Sequence, residues 1–267
     1  MAHFRSAHPV YERSRGHQLL ELFGIAASIA SVVTLLWRCI EGIVVVGEEG
    51  RDAVESHVAA FCLALAGGTV LSDISSGVVH FTFDRFFSID TPLIGRNFVH
   101  PFRQHHADPK EMTRHGFVET NGNNSLATCV PLFILLAIPF DYRVGWQLFI
   151  VALVVSAAIG LFMTNQFHKW AHADDPPRFA RWLQDRGLIL PRRHHQLHHT
   201  WPYDSHYCIT TGWSNALLRR LRFWPRLEWF CTRLLRMRLY TEATPWEQLP
   251  GSPAFHEREH MATTASR

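Results

Sequence analysis

The sequence predicts an all-α integral membrane protein, with about four transmembrane helices and a cytoplasmic helical cap. Three observations predict it. Apolar stretches alternate with a polar, arginine-rich remainder, so a mean hydropathy of -0.03 hides a strong pattern. Basic residues segregate: 23 of the 26 lie in residues 1–18, 84–125 and 166–267, and only Arg38, Arg51 and Arg143 fall elsewhere. Twelve of the 18 histidines lie between His80 and His206, most of them in tight groups.

Each element can be placed in order. Residues 1–18 form a polar N-terminal tail. The first crossing covers residues 19–37, from Leu19 to Trp37. Arg38 and Glu41 then either sit at the interface or pair inside a longer helix reaching Val46. A loop with Glu48, Glu49, Asp52 and Glu55 follows. The second crossing covers residues 58–80 and turns polar on some faces at Asp73, Ser75, Ser76 and His80. The third, residues 126–140, is short for a hydrocarbon core of ~30 Å, which takes ~20 residues. Its Asn123/Asn124 flank or a tilted neighbour must compensate. The fourth covers residues 146–166 and is clearest from Trp146 to Thr164. The segment from Asp141 to Gly145 joins the last two as a tight hairpin. Residues 19–240 are thus one membrane-embedded domain, and residues 241–267 a flexible C-terminal tail.

Four crossings put both termini and the 84–125 loop on one side. The positive-inside rule places that basic side in the cytoplasm, and the acidic 41–55 loop falls opposite. Trp37 and Trp146 suit the aromatic belts at span ends. The competing reading makes the first three spans core helices of a soluble protein. The late start of the first apolar run, without a small-residue cleavage site, argues against a cleavable signal peptide.

The second and fourth crossings exit on the cytoplasmic side. Counting ~20 residues from Val58 and from Trp146 gives exits near Val78 and Gln166. His80 and His168 follow those exits closely, so two helices deliver histidines to the same depth. His168 and His172 are i, i+4 and share a helix face, and His80 and Asp84 have the same spacing. In His194-His195-Gln196-Leu197-His198-His199, the rings of 195, 198 and 199 converge on one side. His194 then points elsewhere, with a role in orienting a ligand through its free nitrogen. His105 and His106 diverge by roughly 100° on a regular helix, which suits two metals or an irregular backbone. His115 and His206 are further candidates, and His100 reads as a surface residue.

Imidazole binds metals as the neutral ring. Eight or more such rings exceed the needs of one four-coordinate zinc and suit a di-metal site. Zinc has no redox chemistry, whereas iron with open positions can use dioxygen against an unactivated C–H bond. Acid/base catalysis cannot do that. A site just above the bilayer reaches a lipid chain, and the arginine-rich face attracts phosphate headgroups.

Other motifs exclude more than they promise. Cys39, Cys62, Cys129, Cys208 and Cys231 form no Cys-x-x-Cys pair, against a zinc ribbon, an iron–sulfur site or a disulfide framework. His256-Glu257-Arg258-Glu259-His260 matches the zinc-protease signature, but it lies close to the C-terminus with no third ligand nearby. No Gly-rich nucleotide fingerprint or haem-attachment motif is present, so the electrons must come from an external donor. Nothing points to nucleic acid. Spans three and four carry almost no polar residues to line a path, against a metal transporter. A zinc hydrolase would be colourless and independent of oxygen.

Six motifs resemble the Kua/CarF lipid desaturases, which include plasmanylethanolamine desaturases and, more distantly, a plant chloroplast acyl desaturase. They begin with Ser76 to His80, Pro101 to Pro109 around His105-His106, and Glu119 to Gly122. Phe167 to His172, Leu190 to His199 and Tyr207 to Trp213 complete the set. The resemblance covers residues 56–240 in consistent order. It implies a non-haem di-iron membrane enzyme using dioxygen and an external electron donor (a cytochrome, a ferredoxin or similar). The implied reaction converts the 1-O-alkyl chain of an ether phospholipid to the vinyl ether of a plasmalogen. The essential histidines it implies are His80, His105, His106, His168, His172, His195, His198 and His199, with Asp84 at an acidic position. An acyl-lipid desaturase or hydroxylase on the same scaffold is the alternative. Asn165 stands where many members carry histidine, and Tyr203 and His206 also depart from the pattern.

Overall fold

A computed structural model describes residues 14–92, 94–200 and 203–239. The two tails fall almost wholly outside this range, as does His256-Glu257-Arg258-Glu259-His260. Among the described residues the chain is helical, with one isolated antiparallel bridge between Phe86 and Leu239.

Four long helices make the bundle: α1 (Arg15–Val46), α2 (Arg51–Arg85), α4 (Phe117–Ala137) and α5 (Gly145–His172). Five short ones cover the end that carries the histidines: α3 (His100–Ala107), α6 (Arg178–Asp185), α7 (Arg192–His198), α8 (Ser214–Arg220) and α9 (Phe223–Arg233). The segments containing α1, α2 and α5 are long and apolar enough to cross a membrane, by length and composition.

The boundaries differ from the sequence reading in instructive ways. α1 starts at Arg15, where the Ser14 hydroxyl accepts the His17 N–H, and it runs unbroken to Val46. The helix thus has the longer of the two expected lengths, but Arg38 and Glu41, both exposed, form no ion pair with each other. The acidic loop contracts to Gly47–Glu49 and Gly50, whose φ of 123° only glycine adopts easily. Asp52 and Glu55 therefore ride on α2. The third apolar segment extends upstream through polar residues 117–125. These polar side chains are tolerated because α5 answers them. Asn121 Nδ2 donates to Gln166 Oε1 (3.1 Å), Asn124 Nδ2 to the Leu161 carbonyl (3.0 Å), and Asn165 Nδ2 to the Thr120 carbonyl (3.1 Å). Asn165 is thus a tether between α4 and α5.

α2 and α5 pack most closely. Gly68 and Ser72 sit one turn apart on α2 and meet Ser156 and Gly160 of α5, with Ala64 and Ala152 buried in the same core. A Cβ on Gly68 would lie 2.5 Å from the Ser156 Cβ. Small residues at this spacing let helix backbones approach in an apolar medium, where packing drives association. The apolar core beside this seam holds Leu35, Leu132, Leu148, Val151 and Val155. The close α2–α5 contact brings the ends of those helices, and so His80 and His168, together.

Candidate metal centre

His80 lies near the end of α2, and His168 and His172 in the last turns of α5. Their depths agree: the His80 and His168 rings are 6.0 Å apart. α3 adds His105 and His106, α7 adds His195 and His198, and His199 follows α7 directly. Eight imidazoles from distant segments therefore share one buried volume.

They form two groups that could hold metal ions. One comprises His105, His168, His172, His195 and His199, and the other His80, His105, His106 and His198. Within each group the candidate ligand nitrogens all lie within 4.8 Å of one another. His105 belongs to both.

In the first group the Nε2 atoms of His168, His172 and His195 form a triangle with sides of 2.8, 2.8 and 3.1 Å. His199 Nε2 lies 3.0 Å from that of His195. Ligand nitrogens at right angles around a metal with bonds of about 2.1 Å stand about 3.0 Å apart. A neutral imidazole has one donor and one acceptor nitrogen, so three converging Nε2 atoms cannot all be satisfied by each other. Their shared focus fits a cation. His105 Nε2 is buried and makes no hydrogen bond among the described residues, which fits the same purpose.

A carboxylate lies against the second group. Asp84 Oδ2 lies 3.2 Å from His106 Nε2, 3.3 Å from His80 Nε2 and 3.6 Å from His198 Nε2. Backbone carbonyls orient two of these rings. His80 Nδ1 faces the Tyr207 carbonyl at 3.3 Å, and His198 Nδ1 the Ser205 carbonyl at 2.8 Å. An Nδ1–H donated there leaves Nε2 free to face inward.

Burial favours the neutral, ligating form of His105, His106, His195 and His199. Desolvation, followed by neighbouring imidazoles, pushes His105, His195 and His199 below the ordinary histidine range. His106 also moves down by desolvation, opposed by the Asp84 carboxylate.

Surrounding contacts fix the ligand-bearing segments. The buried Arg103 guanidinium donates to the carbonyls of Phe83 (3.3 Å), Phe86 (3.1 Å) and Phe87 (2.7 Å). It thereby ties α3 to the end of α2. Asp73, fully buried, accepts the N–H groups of Thr211 (2.8 Å), Gly212 (2.8 Å) and Ser214 (2.9 Å). It pins the loop whose Tyr207 carbonyl steadies His80. Lys110 bonds the His172 carbonyl at 2.9 Å and pairs with Asp174, which Arg192 also holds at 3.2 Å. That knot joins the ends of α5 and α7.

Three candidates fall outside both groups. His115 is partly exposed, 4.0 Å from Glu119, and its carbonyl accepts the Lys169 ammonium. His194 points away because one residue turns a helix by about 100°. Its ring faces His206 at 5.2 Å and packs on Gly212, whose missing Cβ would meet Nδ1 at 2.9 Å. His206 faces Ser205 Oγ at 3.0 Å. His100 heads α3, also outside both groups. Sequence reasoning missed Arg103 and Asp73. An acid within an apolar helix was the available signal for Asp73.

The model of the lipid desaturase domain matches residues 69–240, the region that contains every histidine of both groups. The chain belongs to the lipid desaturase domain family. Its relatives include plasmanylethanolamine desaturase 1 of Mus musculus, 40% identical over 64% of this chain and 65% of that protein. Plasmanylethanolamine desaturase of Myxococcus xanthus is 44% identical over 60% of this chain and 57% of that one. Chloroplastic fatty acid desaturase 4 of Arabidopsis thaliana is 36% identical over 61% of this chain and half (50%) of its own length. The matches thus span under two thirds of each of these relatives. No solved structure matches the chain.

Proposed function

We propose that this lipid desaturase family member is an oxygen-dependent oxidoreductase that converts the 1-O-alkyl chain of plasmanylethanolamine to the vinyl ether of a plasmalogen. One observation carries the reading: eight imidazoles, six of them on buried residues, converge in two groups that share His105. His168, His172, His195 and His199 would hold one iron. His80, His106 and His198, with Asp84, would hold the other, and His105 stands between. Bound there, a pair of irons would supply the dioxygen-dependent oxidising power that hydrogen removal from C1 and C2 requires.

The chain's own residues set the conditions. Neutral rings offer lone pairs without competing protons. Carbonyls of Ser205 and Tyr207 fix the ring orientations, and burial keeps bulk water from the reacting centre. The electrons would come from an external donor such as a cytochrome or a ferredoxin. α4 would be a fourth crossing, its upstream polar turns held by α5, and the basic, histidine-bearing side would face the cytoplasm.

The two relatives named for plasmanylethanolamine support the ether-lipid substrate. The plant relative named as a fatty acid desaturase favours a second reading, an acyl-lipid desaturase or hydroxylase on the same scaffold. Product chemistry separates them. The full chain and His172→Ala are expressed in a host lacking plasmalogens, and its lipids are treated with mild acid. A vinyl ether releases a long-chain aldehyde with the unaltered chain and none with the variant. No aldehyde, given oxygen and a working reductant, rejects the vinyl-ether assignment.

A further inference from the structure

The segment from Trp213 to Leu239 carries seven arginines and a single acid, Glu228. That carboxylate is already taken by Arg85 at the end of α2 (2.6 Å). Among the described residues, no other ion pair offsets the positive charge of the segment. The same segment exposes large apolar side chains: Leu217, Leu221, Trp229, Phe230, Leu234 and Leu235. On α9, Arg226, Trp229, Phe230 and Arg233 fall at i, i+3, i+4 and i+7, so arginines flank the aromatics on one exposed face. Trp229 is 65% exposed, an extreme value for the largest side chain.

The segment's position is fixed. Trp224 stacks on Phe81 of α2, with ring centroids 5.3 Å apart, and Leu239 bridges to Phe86. It is thus clamped to the C-terminal end of an apolar helix long enough, by length and composition, to cross a bilayer.

We infer that α8, α9 and residues 234–239 lie on the bilayer surface as an interfacial platform, with Trp229, Phe230, Leu234 and Leu235 among the acyl chains and the arginines on anionic lipid phosphates. Aromatics between arginines are suited to the interface, where long cationic chains reach outward and rings sit at headgroup depth. Each arginine near an anionic leaflet adds attraction, and seven of them favour anionic over zwitterionic lipid. An acidic electron-carrier protein would also match the charge. It would leave the exposed leucines and Trp229 without an apolar medium, which acyl chains supply.

This inference rests on the membrane reading above but not on the reaction, so its test reads fluorescence rather than turnover. The full chain is placed in nanodiscs of phosphatidylcholine, with or without phosphatidylglycerol. Subtracting the Trp229→Phe signal isolates Trp229. Acrylamide quenching of Trp229 should fall at least roughly twofold when phosphatidylglycerol is present, and doxyl-labelled lipid should quench it. Arg226→Gln combined with Arg233→Gln, both at the surface, should erase the phosphatidylglycerol effect while metal content stays unchanged. Equal acrylamide access in both discs and in detergent would overturn the inference. So would protection that arises only when an acidic one-electron carrier protein is added.

Discussion

The Nε2 atoms of His168 and His195 lie 2.8 Å apart although 27 residues separate them in the chain. A contact this short between two buried imidazoles makes both nitrogens converge on one point, and the remaining rings extend that point to two overlapping groups.

The overlap makes metal content divisible. His172 belongs to the first group only and His80 to the second only, while His105 belongs to both. Purified His172→Ala and His80→Ala should each retain about half the metal of the unaltered chain, and His105→Ala less than either. Elemental analysis of the pure variants reads this directly. Equal losses in all three would count against two groups.

Arg103 should matter for stability. Its guanidinium satisfies three backbone carbonyls around the end of α2. Arg103→Met keeps the stem and removes the donors, at a cost of about 3 kcal/mol. Thermal unfolding in detergent should show the drop, and metal should leave with it because His105 and His106 share the helix. An unchanged unfolding temperature would refute this role.

Asp73 offers a subtler substitution. Asp73→Asn replaces one accepting oxygen by a donor that faces the Ser214 N–H, whose present distance to Asp73 Oδ2 is 2.9 Å. Two facing donors in a buried site should destabilise by about 2 kcal/mol. The Tyr207 carbonyl is carried on the same segment, so His80 loses its support. Thermal unfolding of Asp73→Asn beside Asp73→Ala measures the effect.

Adjacent glycines should behave differently. A Cβ on Gly67 would meet only the mobile tip of Leu153 at 2.9 Å. One on Gly68 would meet the Ser156 Cβ at 2.5 Å and the Ala157 nitrogen at 2.9 Å. Gly67→Ala should therefore be tolerated, and Gly68→Ala should cost on the order of 1–3 kcal/mol by forcing the helices apart. The comparison is made by thermal unfolding of the two variants, and equal stability would contradict the close α2–α5 seam.

The periodicities explain what was readable in the chain. His80 and His168 lie near the ends of two apolar helices of countable length, so their common depth was legible in the chain. Helical spacing separated His194 from its neighbours, but it did not show that His195 and His199 join one group and His198 the other, with His199 lying just past the end of α7. Arg103 and Asp73 were not legible as supports, because they bind backbone groups of segments remote in sequence, which leave no pattern of their own. The polar start of α4 hid its helical character until Gln166 and Asn165 showed where its amides bond.

The most direct measurement is the metal content of the pure, active full chain, by elemental analysis with an iron-specific spectroscopy. The account predicts two irons per chain, lost in graded fashion from the histidine variants. Activity persisting in protein that holds no transition metal, or zinc alone, would contradict it.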